Sequence, residues 1–470
     1  MDSIALIQIV TLGLGFYMAW NIGANDVANA MGTSVGSKAL TLRRAVILAV
    51  ILEFSGAFFV GSSVSKTIQN GIVEPNVFQT DPMIFAVGMM GALLATGVLL
   101  QVASYFGFPI STTHAIVGAV LGFGVCLGGF QAVYWGELAW IASSWLLSPV
   151  LSGLISFGIF NIIQRKILYA LDPVDASEQL TPYFVFLCFG VSTLSIFYQG
   201  LSLDISLGVA VSIATMVGAI AAMMGRFLSL KNPQPKLKLS KGFHPYQSVS
   251  LEKALHHLRR VHLTNQNETY SEEISTLLKQ VESLSETVKK STPQLHAVNH
   301  YQGVEKNFIA LQILSACMVA FAHGANDVAN AIGPVSAVIN VVRTNSIAHA
   351  TSIPLWLLAL GGAGIVIGLA TWGWRVIDTI GKKITELTPT RGFSAEFGAA
   401  TTILFASKLG LPISTTHALI GAVLGVGMAR GLKAINLQTI KEIVISWVIT
   451  IPLCALFSIL SFYLLKQCFI

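Results

Sequence analysis

The chain has 470 residues, 54% of them apolar and only 11% charged, with a mean hydropathy of +0.71. A soluble domain carries about 25% charged residues, so these proportions exclude a water-solvated globule and point to a chain solvated by the lipid bilayer. The net charge of +6 then reports membrane topology and implies no nucleic-acid partner.

Runs of apolar sequence follow one another, most of them long enough to cross a bilayer as a helix. The first opens almost at Met1, without a basic leader or a small-residue cleavage site. It reads as a spanning helix and not as a removable signal or transit peptide. Spans are expected near 4–35, 43–65, 83–105, 111–128, 134–163, 183–201 and 205–228. A polar stretch follows, and further spans are expected near 308–340, 353–374, 394–408, 414–429 and 440–465. The expected fold is an all-α polytopic membrane protein of about 12 segments, with membrane halves 1–228 and 308–470 flanking a loop, 229–307. The loop opens with the proline-bearing stretch Lys231-Asn232-Pro233-Gln234-Pro235-Lys236. Later, Ile274, Leu277, Leu278, Val281, Leu284 and Val288 follow helical spacing, which predicts an amphipathic helix near 271–290. The five cysteines (Cys126, Cys188, Cys317, Cys454, Cys468) form no metal-ligand spacing or disulfide framework and read as small buried hydrophobes.

Placing the N-terminus outside assigns 24 of the 28 Lys and Arg to the inner side and four, Lys66, Arg343, Lys408 and Lys466, to the outer. By the positive-inside rule both termini are outside and the large loop is cytoplasmic. Seven crossings then separate the starts of the two halves, so the second enters from the opposite face. That is an inverted-topology repeat, the architecture of secondary transporters with a site at the midplane.

Two polar strings in this apolar chain are duplicated. Gly23-Ala24-Asn25-Asp26-Val27-Ala28-Asn29-Ala30 returns unchanged 301 residues later, starting at Gly324. Pro109-Ile110-Ser111-Thr112-Thr113-His114-Ala115 returns 303 residues later, starting at Pro412. An Asp or Asn in hydrocarbon is expensive without a partner. In the first string the glycine is expected to break the helix, freeing carbonyls beside a carboxylate as oxygen ligands for a hard cation. Asn25, Asp26 and Asn29, with Asn326, Asp327 and Asn330, are the candidate ligands, Na⁺ being expected at Asp26 and Asp327. The alternative is a polar clamp between helices. In the second string a proline favours a helix start and hydroxyls cap it. Ser111, Thr112 and Thr113, with Ser414, Thr415 and Thr416, then form two helix N-termini suited to an anion; plain helix capping is the alternative. No Lys or Arg lies in either string, so an anion is admitted only with mobile cations. That argues for a Na⁺- or H⁺-coupled symporter without a cofactor.

His114 and His417 can relay protons or simply bond a carbonyl. Glu53, a lone carboxylate in an apolar span, faces Pro354 or Trp356 by the repeat offset and is either an extra cation or proton site or a helix-pairing contact. Gln101, opposite Leu404 by the same offset, is a supporting candidate.

With these duplicated strings the chain resembles the inorganic phosphate transporter (PiT) family over residues 4–228 and 308–467. The run Met31-Gly32-Thr33-Ser34-Val35-Gly36-Ser37 with Leu40-Thr41-Leu42-Arg43 is most similar to the plastid-type branch and related bacterial permeases. The resemblance implies that Asn25, Asp26, Asn326 and Asp327 take part in binding cation and phosphate, that the Ser-Thr-Thr triplets hold phosphate oxygens, and that the protein forms a homodimer. It implies phosphate import with Na⁺ or H⁺ by alternating access, here across a bacterial plasma (inner) membrane. Pro334 stands where the first half has Thr33, and Glu53 has no acidic mate, so the halves are not equivalent. Rival functions are a sulfate or arsenate permease, an anion channel, and an intramembrane hydrolase using Ser111 and His114 or Ser414 and His417.

Overall fold

The computed structural model describes residues 3–107, 110–200, 205–231, 245–264, 268–291, 294–347, 352–373, 387–431 and 437–470. Pro109 and most of the proline-bearing stretch at the start of the loop lie outside them. The first half contains α1 (Ser3–Gly36), α2 (Leu42–Val60), α3 (Ser62–Asn70), α4 (Pro82–Phe106), α5 (Thr112–Gly128), α6 (Trp135–Ile163), α7 (Pro173–Ser195) and α8 (Leu207–Lys231). The loop carries α9 (Pro245–Thr264) and α10 (Glu268–Ser291), bridged by an exposed Arg259–Glu282 ion pair at 2.7 Å. The second half contains α11 (Gln294–Thr344), α12 (Leu355–Trp372), α13 (Pro389–Lys408), α14 (Thr415–Arg430) and α15 (Leu437–Phe469). Eight described helices are long and apolar enough to cross a membrane, or nine if α2 and α3, bent by 64°, count as one span. The protein is therefore a multi-pass, helical membrane protein. The expected amphipathic helix near 271–290 is α10.

The break expected in the Asn-Asp string is not there. α1 and α11 run as helix straight through Gly23 and Gly324. The glycines serve close packing instead. A Cβ on Gly23 would overlap the Ile365 carbonyl of α12, and one on Gly324 would overlap the Glu53 carbonyl of α2. Gly56 meets the Phe321 carbonyl in the same manner, and Gly368 meets that of Trp20. Helices this close need small residues at the crossing, as is usual where lipid supplies no hydrophobic drive between them.

These contacts come in matched pairs, and each joins one half to the other. α1 lies on α12 and α11 on α2. Gly118 and Gly122 of α5 abut the backbone of α15 at Ile451 and Ala455, while Gly421 and Gly425 of α14 abut α6 at Pro149 and Gly153. The halves interlock. The pairing also corrects the mate of Glu53: it occupies against Gly324 the place that Ile365, not Pro354 or Trp356, occupies against Gly23. The connection after α11 is longer than the one after α1, which shifts the register of α12.

Two helical hairpins point their turns at the centre. α4 ends at Gly107 and α13 reaches Gly410, with φ of 69° and 68°. Such left-handed positions favour glycine, which has no Cβ to clash. The chain then re-enters helix behind Ser111 and Ser414, each of which accepts from the backbone N–H three residues on, at 3.2 Å.

Candidate functional site

All twelve residues of the two duplicated strings that were singled out as ligands are buried, none more than 3% exposed. They converge where α1, α11, α5 and α14 meet, and bonds made by Asn29, Asn330 and Thr113 cross between the halves. Asn29 Nδ2 donates to Thr416 Oγ1 (2.8 Å) and to Asp26 Oδ1 (3.0 Å). Asn330 Nδ2 donates to Thr112 and Thr113 Oγ1, both at 3.3 Å. Thr415 Oγ1 donates to Asp327 Oδ2 at 3.0 Å, and Thr113 Oγ1 donates to the Ile413 carbonyl at 2.9 Å. Asn25 and Asn326 donate to Ser104 and Ser407, each at 3.0 Å. The two serines stand 303 residues apart, at matching places on α4 and α13.

What is left unsatisfied decides the chemistry. Asp26 Oδ2, Asp327 Oδ1, Asn326 Oδ1 and Asn330 Oδ1 are buried and accept no hydrogen bond. Buried acceptors without partners are rare and costly. All four are oxygen atoms, the ligands a hard cation takes. Among the described residues no Lys or Arg is buried, so no fixed side-chain cation of that kind fills the need. The Ser111 and Ser414 caps satisfy one amide each, whereas the first turn of a helix leaves several N–H groups without helical acceptors. Hydroxyl and amide donors at the starts of α5 and α14 thus share one buried site with the carboxylates.

Glu53 enters the site through a residue that the sequence reading passed over. His323 lies between two carboxylates, Nδ1 3.3 Å from Glu53 Oε1 and Nε2 3.1 Å from Asp327 Oδ2, and all three side chains are fully buried. A neutral imidazole carries a single N–H. One of the two contacts would therefore set a lone pair against a carboxylate oxygen unless a further proton is present. Asp26, His323 and Asp327 offer ligand atoms within 4.8 Å of one another, which brings the aspartates of the two halves together. The first half has no such triad: 301 residues before His323 stands Ile22, and the mate of Glu53 is Ile365.

A second carboxylate was also missed. Glu396 of α13 is fully buried and bonded from two helices, α1 and α11. Its Oε1 accepts from Thr33, from Ser34 (2.7 Å) and from Gln312 Nε2 (3.4 Å), and its Oε2 accepts from Ser315 (2.6 Å). Its mate, 303 residues earlier, is Leu93. This accounts for Pro334 at the place of Thr33: the donor is needed only where the acid is. Both signals were readable, His323 as a polar residue beside the repeated glycine where the first half has Ile22, and Glu396 as a lone acid in an apolar span.

The remaining candidates lie further out. Gln101 accepts from the Tyr17 hydroxyl of α1. His114 and His417 meet each other edge to face at 4.5 Å, with Trp145 4.0 Å from His114 and its carbonyl 3.2 Å from His417 Nδ1. They form a pair behind the hairpin turns.

Comparison with known proteins gives the family. Residues 22–458 match the phosphate transporter family. The chain belongs to that family. It is 46% identical over 457 residues to the inorganic phosphate transporter 2-1, chloroplastic, of Arabidopsis thaliana, a match covering 97% of this chain and 71% of that protein. Its structure is similar to a solved structure described as the sodium-dependent phosphate transporter, with a TM-score of 0.80 and 37% identity over 98% of this chain and 99% of the other. A phosphate transporter is not an enzyme, and the Ser–His pairs need no nucleophilic role.

Proposed function

We infer that this phosphate transporter is a symporter. In this reading phosphate is held between the N-termini of α5 and α14, cations enter with it at Asp26 and Asp327, and the halves alternate access around that site as inverted repeats. The observation that carries it is the set of four unsatisfied buried oxygens beside two hydroxyl-lined helix starts, in a site without Lys or Arg. Phosphate alone would be repelled by Asp26 and Asp327. A cation alone would leave the hydroxyls and amides unused. Bound together they neutralise each other and fill both sets of partners.

Sodium is the coupling ion this favours. The free ligands are oxygens, and the structurally similar transporter is described as sodium-dependent. A second reading, with one proton among the coupling ions, rests on His323 between Glu53 and Asp327. In that case the halves divide the work, with a cation at Asp26 and a proton held beside Asp327. The inner side of the membrane is assigned by the distribution of Lys and Arg alone.

The test is uptake of radiolabelled phosphate into proteoliposomes with Na⁺ and pH gradients imposed separately. Accumulation above equilibrium on a Na⁺ gradient alone is expected. Accumulation only on a proton gradient would move the coupling to the Glu53–His323 pair, and no accumulation with either would remove the symport reading.

A further inference from the structure

A cavity of about 880 Å³ opens on the side of the molecule where α1 ends and α13 begins. Among the described residues it is lined by four cationic side chains, Lys38, Lys306, Arg391 and Arg430, and by one carboxylate, Glu305. Glu305 is engaged with Thr390, accepting from its backbone N–H at 2.8 Å and its hydroxyl at 2.9 Å. The lining therefore carries a net charge of +3, against a central site rich in carboxylates. Lys38 supports the same reading through its backbone. Its φ is 65°, a left-handed conformation that disfavours a residue with a Cβ and that glycine adopts freely. The lysine at that helix end brings its charge to the cavity in spite of the backbone.

Polar side chains connect this cavity to the centre. Ser37 lines it and donates to Gln312 Oε1 at 2.6 Å. Gln312 donates to Glu396, which also accepts from Thr33 and Ser34. Thr33 stands one helical turn along α1 from Asn29. We propose that this cavity is an anion-binding vestibule of the transport path: Lys38, Arg391, Lys306 and Arg430 hold the phosphate oxyanion after it passes the Glu396 cluster, and Glu305 competes with it for the same positive field. The inference rests on the symport reading above and adds the place where its substrate pauses. A phospholipid headgroup offers the same chemistry as free phosphate, and the test separates the two.

The full-length protein is assayed in right-side-out and inside-out membrane vesicles, and the KM for inorganic phosphate is measured from each face. In the double variant Lys38→Gln/Arg391→Gln, KM on the vestibule face is expected to rise about tenfold, roughly threefold for each charge removed from a wet cavity. KM on the opposite face is expected to stay within about twofold of wild type. Glu305→Gln, which keeps a hydrogen-bond acceptor for Thr390 but not the charge, is expected to lower KM on the vestibule face. That opposite sign is one a merely structural role would not produce. Unchanged values, or equal changes on both faces, would overturn the vestibule. So would disappearance of the effect in reconstituted vesicles containing only zwitterionic lipid, which would assign the cations to anionic headgroups. A wild-type protein that never concentrates phosphate would instead overturn the symport reading, while the ratio of variant to wild-type KM under exchange would still report on the vestibule.

Discussion

Replacing Thr416 by valine removes a single hydroxyl from the centre and keeps the side chain's shape. That hydroxyl accepts from Asn29 of the other half at 2.8 Å and stands 3.5 Å from Asp26 Oδ1. Asn29 Nδ2 keeps a second acceptor in Asp26 Oδ1 at 3.0 Å, so it is not orphaned, and the loss is that of an ordinary buried hydrogen bond, about 1–1.5 kcal/mol. A bound oxyanion loses a hydroxyl donor as well, which adds about 1.5–3 kcal/mol because the acceptor is charged. The total of about 2.5–4.5 kcal/mol corresponds to a fall of roughly 70- to 2000-fold in Vmax/KM for phosphate. Thr416→Ser keeps the hydroxyl and should stay within about threefold of wild type, since only a methyl group is lost. Initial-rate uptake in proteoliposomes, normalised to inserted protein, measures both. Uptake by Thr416→Val within about twofold of wild type would show that this hydroxyl neither bridges the halves nor meets the substrate.

Other substitutions test the surrounding machinery. Glu396→Gln removes the charge on which Thr33, Ser34, Gln312 and Ser315 converge; more than about a tenfold loss of uptake with normal insertion is expected, since hydrogen bonds to a charged group contribute about 1.5–3 kcal/mol each. His323→Ile gives the second half the residue that the first has at Ile22, and should flatten the pH dependence of uptake relative to wild type at each pH. A wild-type profile would exclude the His323 pair from coupling. Gly56→Ala places a methyl against the Phe321 carbonyl, a backbone atom that cannot rotate away. It should lower the unfolding midpoint of the detergent-solubilised protein, by an overpacking cost of about 1–3 kcal/mol. Gly13→Ala, which meets nothing within 4 Å, should not.

Much of this arrangement was legible in the sequence because it is written twice. Duplication marked the candidate residues that the fold brings together, and lipid solvation made each buried Asn and Asp conspicuous. The expected helix break at Gly23 failed because glycine has two uses in a membrane. It can release a carbonyl or it can let two backbones touch, and only the partner helix decides which. Ile365 and Glu53 supply that partner, and neither is near the glycines in sequence. The mate of Glu53 was misassigned for a related reason: one offset was applied across a connection whose length differs between the halves. His323 and Glu396 were overlooked because attention went to what the repeats share. They stand where the repeats differ, with Ile22 and Leu93 opposite them.

The central claim is that one site, built from both halves, binds phosphate and its coupling cations together. The most direct measurement is concentrative phosphate uptake by Asp26→Asn and by Asp327→Asn, each verified as inserted and folded in the same vesicles as wild type. In the asparagine variants one oxygen becomes an amide N–H₂ that repels a cation. Each single change should therefore abolish Na⁺-driven accumulation, although the other half is intact. Wild-type accumulation by either variant would contradict a shared site.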